Sequence, residues 1–517
     1  MLDQVTHALN YSRHRAMSLP VAALIVTAAF TSLYAIYKHT KLPPRTLRHI
    51  PQVSATQLAM AQMKLKSIRE IAFNITLPVA NETEHGIYLV KKRAIWELHI
   101  ARPELIAEFM SKIDAFTKPQ VSINPKTLLG RFIGGRNLLI LDGGEWLEQH
   151  KIIKAAFDCI SPIGSFGAIG QKLIIAVDNT SNSNVDWQQL ASHWALDLLG
   201  KTLFDFDFGA IDGTESQWSS RYRSMFLACF HPLYLMLPVL DTWFLSSTRH
   251  HMHKELTTLL GIMDERIKQA SQLPHESEAS TEKDLLTHIL EVQKEHLGNI
   301  NDEEIKSNFC AFFMMGHKAL ANTLALAVHY IAVNQDIQQR AQEEVTAIIG
   351  SDNKKDDIPT LAQVSRMPYI EYVIKETMRM HPPTPVLHNR VATGDIGLGK
   401  LLVPKGTQVS VNIYELHNNP TVWERPEVFD PTRFAPGGEV DQLNSQGRLA
   451  WLPFNQEPRQ CVGKDFSLLA LKVTLVMLVQ CYDVSLASDS PHKNGVSTVG
   501  YSGINPSGLM INFTKRH

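Results

Sequence analysis

Residues 309–333 (FCAFFMMGHKALANTLALAVHYIAV) form a 25-residue stretch that is apolar nearly all the way round a helix. Such a helix offers water no face, so it belongs in the interior of a folded body. A bilayer is the wrong interior for it, because His317, Lys318 and Asn322 stand at its centre, where polar groups are costly in hydrocarbon. The rest of the chain must therefore wrap it, and long helical patterns dominate the sequence. Residues 52–66 and 369–380 read as helices, the second stopped by His381-Pro382-Pro383. Residues 86–100 alternate enough for two strands, and shorter strand-like pieces fall at 401–411 and 482–486. Residues 272–283 are polar and read as an exposed loop. No repeat, low-complexity tract or Gly/Ser-rich linker divides the body, so residues 51–517 read as one mostly helical domain.

Cys461 lies in Phe454-Asn-Gln-Glu-Pro-Arg459-Gln-Cys461-Val-Gly463, just ahead of an apolar helical run at 465–471. A thiol at the start of a helix faces the positive end of the helix dipole, which favours the thiolate. A thiolate is a strong axial ligand for haem iron. The neighbours suit that role: Phe454 can shield the sulfur, Arg459 can pair with a haem propionate, and Gly463 lets backbone lie close to a porphyrin. Zinc is a poorer match, since no second Cys or His stands at ligand spacing.

A net charge of −1 over 517 residues gives no argument for a nucleic-acid partner. The five cysteines, at 159, 229, 310, 461 and 481, are few, odd in number and widely spaced. That reads as a reducing compartment without a disulfide framework. Residues 17–37 (MSLPVAALIVTAAFTSLYAIY) are 21 residues without a charge, long enough to cross a bilayer as a helix. Arg13 and Arg15 precede this stretch, whereas Lys38, Lys41, Arg45 and Arg48 follow it. The heavier basic side is C-terminal, which predicts residues 1–16 in the lumen and the body in the cytosol. Leu42-Pro43-Pro44 gives a stiff exit within a basic hinge at 38–50. Asn74, Asn81, Asn179 and Asn512 open N-x-S/T sequons that cytosolic topology leaves unmodified; Asn10, beside the membrane, opens a fifth.

The spacing around Cys461 resembles the haem loop F-x-x-G-x-R-x-C-x-G of the cytochrome P450 family. Four of its five fixed positions match, and Glu457 stands where the family has Gly. A non-Gly residue at a φ > 0 turn there is expected to cost about 1 kcal/mol. Upstream, Glu376-Thr-Met-Arg379 alone would read as a surface pair sharing a helix face. With Phe429-Asp-Pro-Thr-Arg433-Phe434 between it and Cys461, it resembles the family's E-x-x-R motif and downstream Arg. The resemblance implies a buried cluster of Glu376, Arg379 and Arg433 behind the haem loop. It implies an extended, pocket-lining segment at 382–388 and a propionate-binding role for Arg390. Trp146 and His150 stand where similar proteins carry W-x-x-x-R, with both side chains reaching a propionate; His150 replaces the Arg. Lys151 and Lys154 extend a basic stripe on that helix, suited to docking an acidic flavin reductase. The apolar stretch at 226–244 resembles the pocket roof that dips into the membrane.

Residues 309–333 resemble the family's distal helix over the haem, where A/G-G-x-D/E-T-T is usual. There Gly316 would open space beside the iron and kink the helix, with His317 following as in relatives. The acid and alcohol that pass protons toward bound dioxygen are replaced by Lys318 and Ala319. The resemblance therefore implies three alternatives: a monooxygenase whose substrate supplies a hydroxyl, a haem-thiolate isomerase or dehydratase acting on peroxides, or a catalytically silent haem-binding protein.

The implied fold is a triangular helical domain with a small β-rich lobe and an N-terminal transmembrane helix. The implied cofactor is haem b, with Cys461 as axial ligand and electrons from NADPH through a separate flavoprotein reductase. Cytochrome b5 is a further implied partner. The leading expectation is a single-pass endoplasmic-reticulum enzyme with a cytosolic catalytic domain that hydroxylates or epoxidises an apolar small molecule. In overall style the chain is most similar to filamentous-fungal members that tailor terpenoid or polyketide metabolites.

Overall fold

The computed structural model describes residues 42–83, 86–92, 95–119, 123–180, 184–212, 217–242, 247–272, 282–295, 300–350, 358–387, 389–493, 495–496, 506 and 508–516. The expected lumenal segment, the membrane-crossing stretch at 17–37, hinge residues 38–41, Asn10, His388 and most of the polar loop at 272–283 lie outside the described residues.

The longer helices are α1 (Ala55–Met63), α2 (Pro103–Ser111), α3 (Gly143–Cys159), α4 (Ile163–Asp178), α5 (Trp187–Phe204), α6 (Gln217–Cys229), α7 (Ser247–Gln272), α8 (Leu285–Lys294), α9 (Asp302–Val333), α10 (Gln335–Ile349), α11 (Pro368–Met380) and α12 (Lys464–Cys481). The strands are β1 (Ile87–Lys92), β2 (Ile95–Ile100), β3 (Phe116–Thr117), β4 (Asn184–Asp186), β5 (Arg390–Ala392), β6 (Ile396–Leu398), β7 (Leu401–Val403), β8 (Gln408–Val411), β9 (Tyr482–Leu486) and β10 (Met510–Lys515).

α9 is the axle of the molecule. Asn301 and Glu304 form a reciprocal capping box at its start, and Asp302, Glu303 and Glu304 complement its dipole. It then runs 32 residues unbroken, so the expected kink at Gly316 is not an interruption of the helix. Length and apolarity alone would let it cross a bilayer, yet Leu320, Leu324, Ala325 and Val328 are sealed inside protein. α5 packs along it, and α7, α11 and α12 touch it as well. Its interior placement follows from the all-round apolar pattern.

A five-stranded sheet in the order β1-β2-β8-β5-β3 forms the smaller lobe. β1 and β2 are the hairpin expected within 86–100, paired antiparallel from Ile87–Ile100 to Lys92–Ile95. The piece expected at 401–411 is two strands, β7 and β8, in different sheets. Gly406, at φ +83, turns the chain between them. This sheet carries Arg390 at the start of β5, where it is brought toward the helical lobe.

Candidate active site

The Cys461 loop is anchored from within. The Cys461 N–H donates to the Phe454 carbonyl (2.9 Å), and the Arg459 N–H donates to the Gln456 carbonyl (3.0 Å). Asn455 Nδ2 closes the loop onto the Arg459 carbonyl at 3.2 Å. The left-handed residue of the loop is Asn455 (φ 60), a residue type that tolerates this region. The strain expected at Glu457 is therefore not there, because Glu457 is not in the left-handed region; its bond to Pro458 is cis. α12 begins at Lys464 with Gly463 as its N-cap, three residues beyond the thiol. The Cys461 side chain is accessible although the loop is packed in protein. Burial pushes its thiol up, the Gly463 N–H opposes this, and Asp465 adds to the rise. The lowering expected from the helix start is thus outweighed.

Behind the loop lies the charge cluster. Glu376 and Arg379 on α11 have no solvent exposure. They pair through Nε–Oε2 (2.7 Å) and Nη2–Oε1 (2.9 Å), a fork that the i,i+3 spacing allows. Arg379 also donates to the His417 and Pro426 carbonyls, each at 2.7 Å. Arg433 approaches Glu376 Oε1 at 3.4 Å and pairs with Glu439. Burial pushes the Glu376 carboxyl up, opposed by Arg379, the Asp430 N–H and Arg433. His417 Nε2 in turn accepts the Leu452 N–H at 2.9 Å. A chain of bonds thus runs from Glu376 through Arg379 and His417 to Leu452, two residues before Phe454.

On the other side of the thiol lies a group of cations. Arg459 extends over the Trp146 ring of α3, 3.6 Å from its centroid, and pairs with Asp142. His150 stacks on Trp146 at 4.4 Å, and burial pulls its pKa down. Arg390 is buried and stands 3.8 Å from Asp142. Lys118 donates to the Leu138 and Leu141 carbonyls, each at 2.7 Å. Burial, then Arg459 and Arg390, pull the Lys118 ammonium down to about 7, against the pull of Asp142. Burial and Arg459 likewise lower Arg390 to about 10. Three cations thus share one carboxylate. Nη1 of Arg390 and Nη1 of Arg459 are buried without a hydrogen-bond acceptor among the described residues, a costly state for guanidinium groups. The arrangement fits the edge of a dianionic group whose carboxylates would satisfy both nitrogens beside an accessible thiol, which is what haem presents.

The middle of α9 supplies a second wall. In the middle of this helix, Met315 and Lys318 are exposed, and Phe312, Met314, Gly316, Ala319 and Asn322 are half-buried. Helical spacing groups Met315, Lys318, Ala319 and Asn322 along one strip. Phe157 of α3 links this wall to the thiol loop: its ring meets Phe312 at 5.5 Å and Phe466 of α12 at 6.0 Å. A Cβ at Gly463 would touch Phe157 at 3.6 Å, and one at Gly316 would touch Leu199 at 3.5 Å, so protein packing demands neither glycine. His317 departs from the expectation that grouped it with Lys318 and Ala319. It turns off the strip, its Nε2 3.1 Å from Ser192 Oγ of α5 and its ring edge-on to Tyr222 of α6. Burial pulls its pKa down to about 4. Thr323 is committed too, donating to the Ala319 carbonyl at 2.8 Å.

Sequence reasoning missed Lys118, Asp142 and His417. Asp142, the N-cap of α3 just before Gly143-Gly144, left a weak signal. Lys118 left none, since its role comes from the carbonyls of a loop twenty residues away.

A family model described as Cytochrome P450 matches residues 82–513. Cytochrome P450 4X1 of Homo sapiens is 26% identical over 399 residues, covering 74% of this chain and 75% of that protein. Cytochrome P450 4F4 of Rattus norvegicus is 27% identical over 383 residues, covering 69% and 70%. Among solved structures, the cytochrome P450DA haem domain superposes with a TM-score of 0.73 at 21% identity, covering 90% of this chain and 97% of that one. The chain belongs to the cytochrome P450 family and is a haem-thiolate monooxygenase.

Proposed function

We propose that Cys461 is the axial ligand of haem b, that Lys118, Arg390 and Arg459 hold its propionates, and that the enzyme hydroxylates or epoxidises an apolar small molecule. One observation carries this assignment: two buried guanidinium nitrogens, one on Arg390 and one on Arg459 of the Cys461 loop, have no hydrogen-bond acceptor among the described residues. Bound haem supplies the activation of dioxygen by electrons that NADPH provides through a flavoprotein reductase. One oxygen atom enters the substrate and the other leaves as water, so two electrons and two protons are consumed per turnover.

The remaining roles belong to the chain's own side chains. The Gly463 N–H steadies the sulfur, and the Glu376–Arg379–His417–Leu452 chain holds the loop that presents it. Phe312, Met315 and Ala319 give the substrate an apolar wall. Lys151, exposed on α3, suits an acidic reductase face, with cytochrome b5 as a second donor. Leu227, Phe230, Leu233, Leu237 and Val239 expose apolar surface in the stretch expected to dip into a membrane. That surface supports a membrane-associated enzyme anchored by 17–37 at the endoplasmic reticulum; a role in tailoring terpenoid or polyketide metabolites rests on the resemblance in overall style alone. The test is the reduced, carbon monoxide-bound spectrum. Wild type should give the thiolate-haem band and Cys461→Ala should lose both band and turnover; a normal band in that variant overturns the ligand assignment.

Lys318 and Ala319 favour a second reading, an isomerase or dehydratase of peroxides, because neither forms the acid–alcohol pair. Turnover of a hydroperoxide without NADPH or reductase would select it. Haem loading with neither activity would leave a silent haem-binding protein.

A further inference from the structure

The open strip of α9 carries a charge that the protein around it does not answer. Lys318 is exposed on the strip that also holds Met315 and Ala319. Its ammonium lies 5.0 Å from the centroid of the Phe226 ring on α6. Tyr222 and Phe230 pack against Phe226 at 5.9 Å and 5.1 Å, so the surroundings are apolar. Burial pulls the ammonium down, and no carboxylate among the described residues pulls it back. Lys306 and Lys472, both more buried than Lys318, are matched by carboxylates. Lys306, earlier on the same helix, has Asp264 and Glu303 each at 2.8 Å. Lys472 has Glu371 at 3.2 Å. Among the described residues, Lys318 has only the ring.

We infer that Lys318 anchors a carboxylate of the substrate, so that this enzyme acts on an acid with an apolar body. The inference rests on the reading of this strip as the wall of the substrate cleft. A neutral apolar molecule closing over Lys318 would strip water from an ammonium and return nothing. A carboxylate returns a charge-assisted hydrogen bond in a dry setting, where such bonds are strongest. Because Lys318 adjoins Ala319, the acid-bearing end of the substrate lies against the middle of α9, not at the mouth of the cleft.

The experiment is equilibrium binding to the haem-loaded full-length protein, by calorimetry and by the haem spectrum. The probes are abietic, 1-naphthoic and dodecanoic acids, each beside its methyl ester. Lys318→Met keeps the apolar stem without the charge, and Lys318→Arg keeps the charge. At least one acid should bind wild type about tenfold or more tighter than its ester. That preference should vanish in Lys318→Met and persist in Lys318→Arg. Equal binding of acid and ester in wild type, binding of none of the acids, or a preference that survives in Lys318→Met would overturn the inference. The carbon monoxide spectrum separates the two failures. A wild type without the thiolate band fails the reading of the cleft, whereas a normal band without acid preference fails this inference alone.

Discussion

Glu376 and Arg379 are a fully buried pair whose guanidinium also binds two backbone carbonyls. Removing one partner strands the other charge, at a cost of roughly 3–5 kcal/mol. Glu376→Ala and Arg379→Ala should therefore yield little haem-loaded protein, measured as bound haem per chain. Normal loading in either variant would mean that the fork does not hold the loop. The double change Glu376→Leu/Arg379→Met should lose less than the two single losses combined, since no charge is stranded. Taken alone this pair reads as a surface pair, and its burial was legible only through the resemblance that Arg433 and the Cys461 loop complete; Cys461 and Arg459 were legible because one loop carries them. Lys118, Asp142 and His417 were not. They come from separate segments, and only the folded chain brings Lys118 and Asp142 to Arg459, or His417 between Arg379 and Leu452. His317 stands apart from Lys318 and Ala319 because helical geometry turns each successive residue by about 100°, which brings its ring to Ser192 of α5.

At the scale of elements, the helices within 52–66 and 369–380 were readable from their pattern, and α9 from its lack of a polar face. Residues 401–411 were harder, because two short strands from different sheets share one apolar run. The short helix Ile413–Asn418 carried no signal for its most unusual feature. Glu415 is buried there, accepting from Thr76 Oγ1, Tyr88 Oη (2.7 Å) and Asn412 Nδ2 (2.6 Å), with no cation paired to it among the described residues. Burial pushes its carboxyl up to about 7, opposed by Thr76 and Tyr88. The folded state thus holds this proton more tightly than the unfolded chain, so the stabilisation is full below the unfolded value and lost as pH rises through about 7. The group accounts for on the order of 3 kcal/mol across that window. Urea unfolding of Glu415→Gln should show a flatter stability profile between mildly acidic and mildly alkaline buffer than wild type. An unchanged slope would show that Glu415 ionises freely. On α9, Ala319→Thr returns a hydroxyl to the open strip. It should raise product formed per NADPH for substrates lacking a hydroxyl or acid of their own, and lower peroxide release. Equal coupling in both proteins would mean that the strip does not set proton delivery.

For the whole molecule, the decisive question is on which side of the membrane the body folds. Four basic residues follow the apolar stretch at 17–37 and two closely precede it, so the body is expected in the cytosol. The sequons turn that expectation into a measurement, and the structure ranks them. Asn74, Asn81 and Asn179 are exposed, so a lumenal body would present all three to glycosylation. Asn512 is uninformative, because it lies half-buried in the central strand β10 between β4 and β9. Protease added to sealed microsomes should therefore degrade the body, and Asn74, Asn81 and Asn179 should carry no glycan. Protection from protease, or a glycan on Asn74, Asn81 or Asn179, would reverse the orientation. It would also remove the reductase reading, since Lys151 would then face away from a cytosolic electron donor.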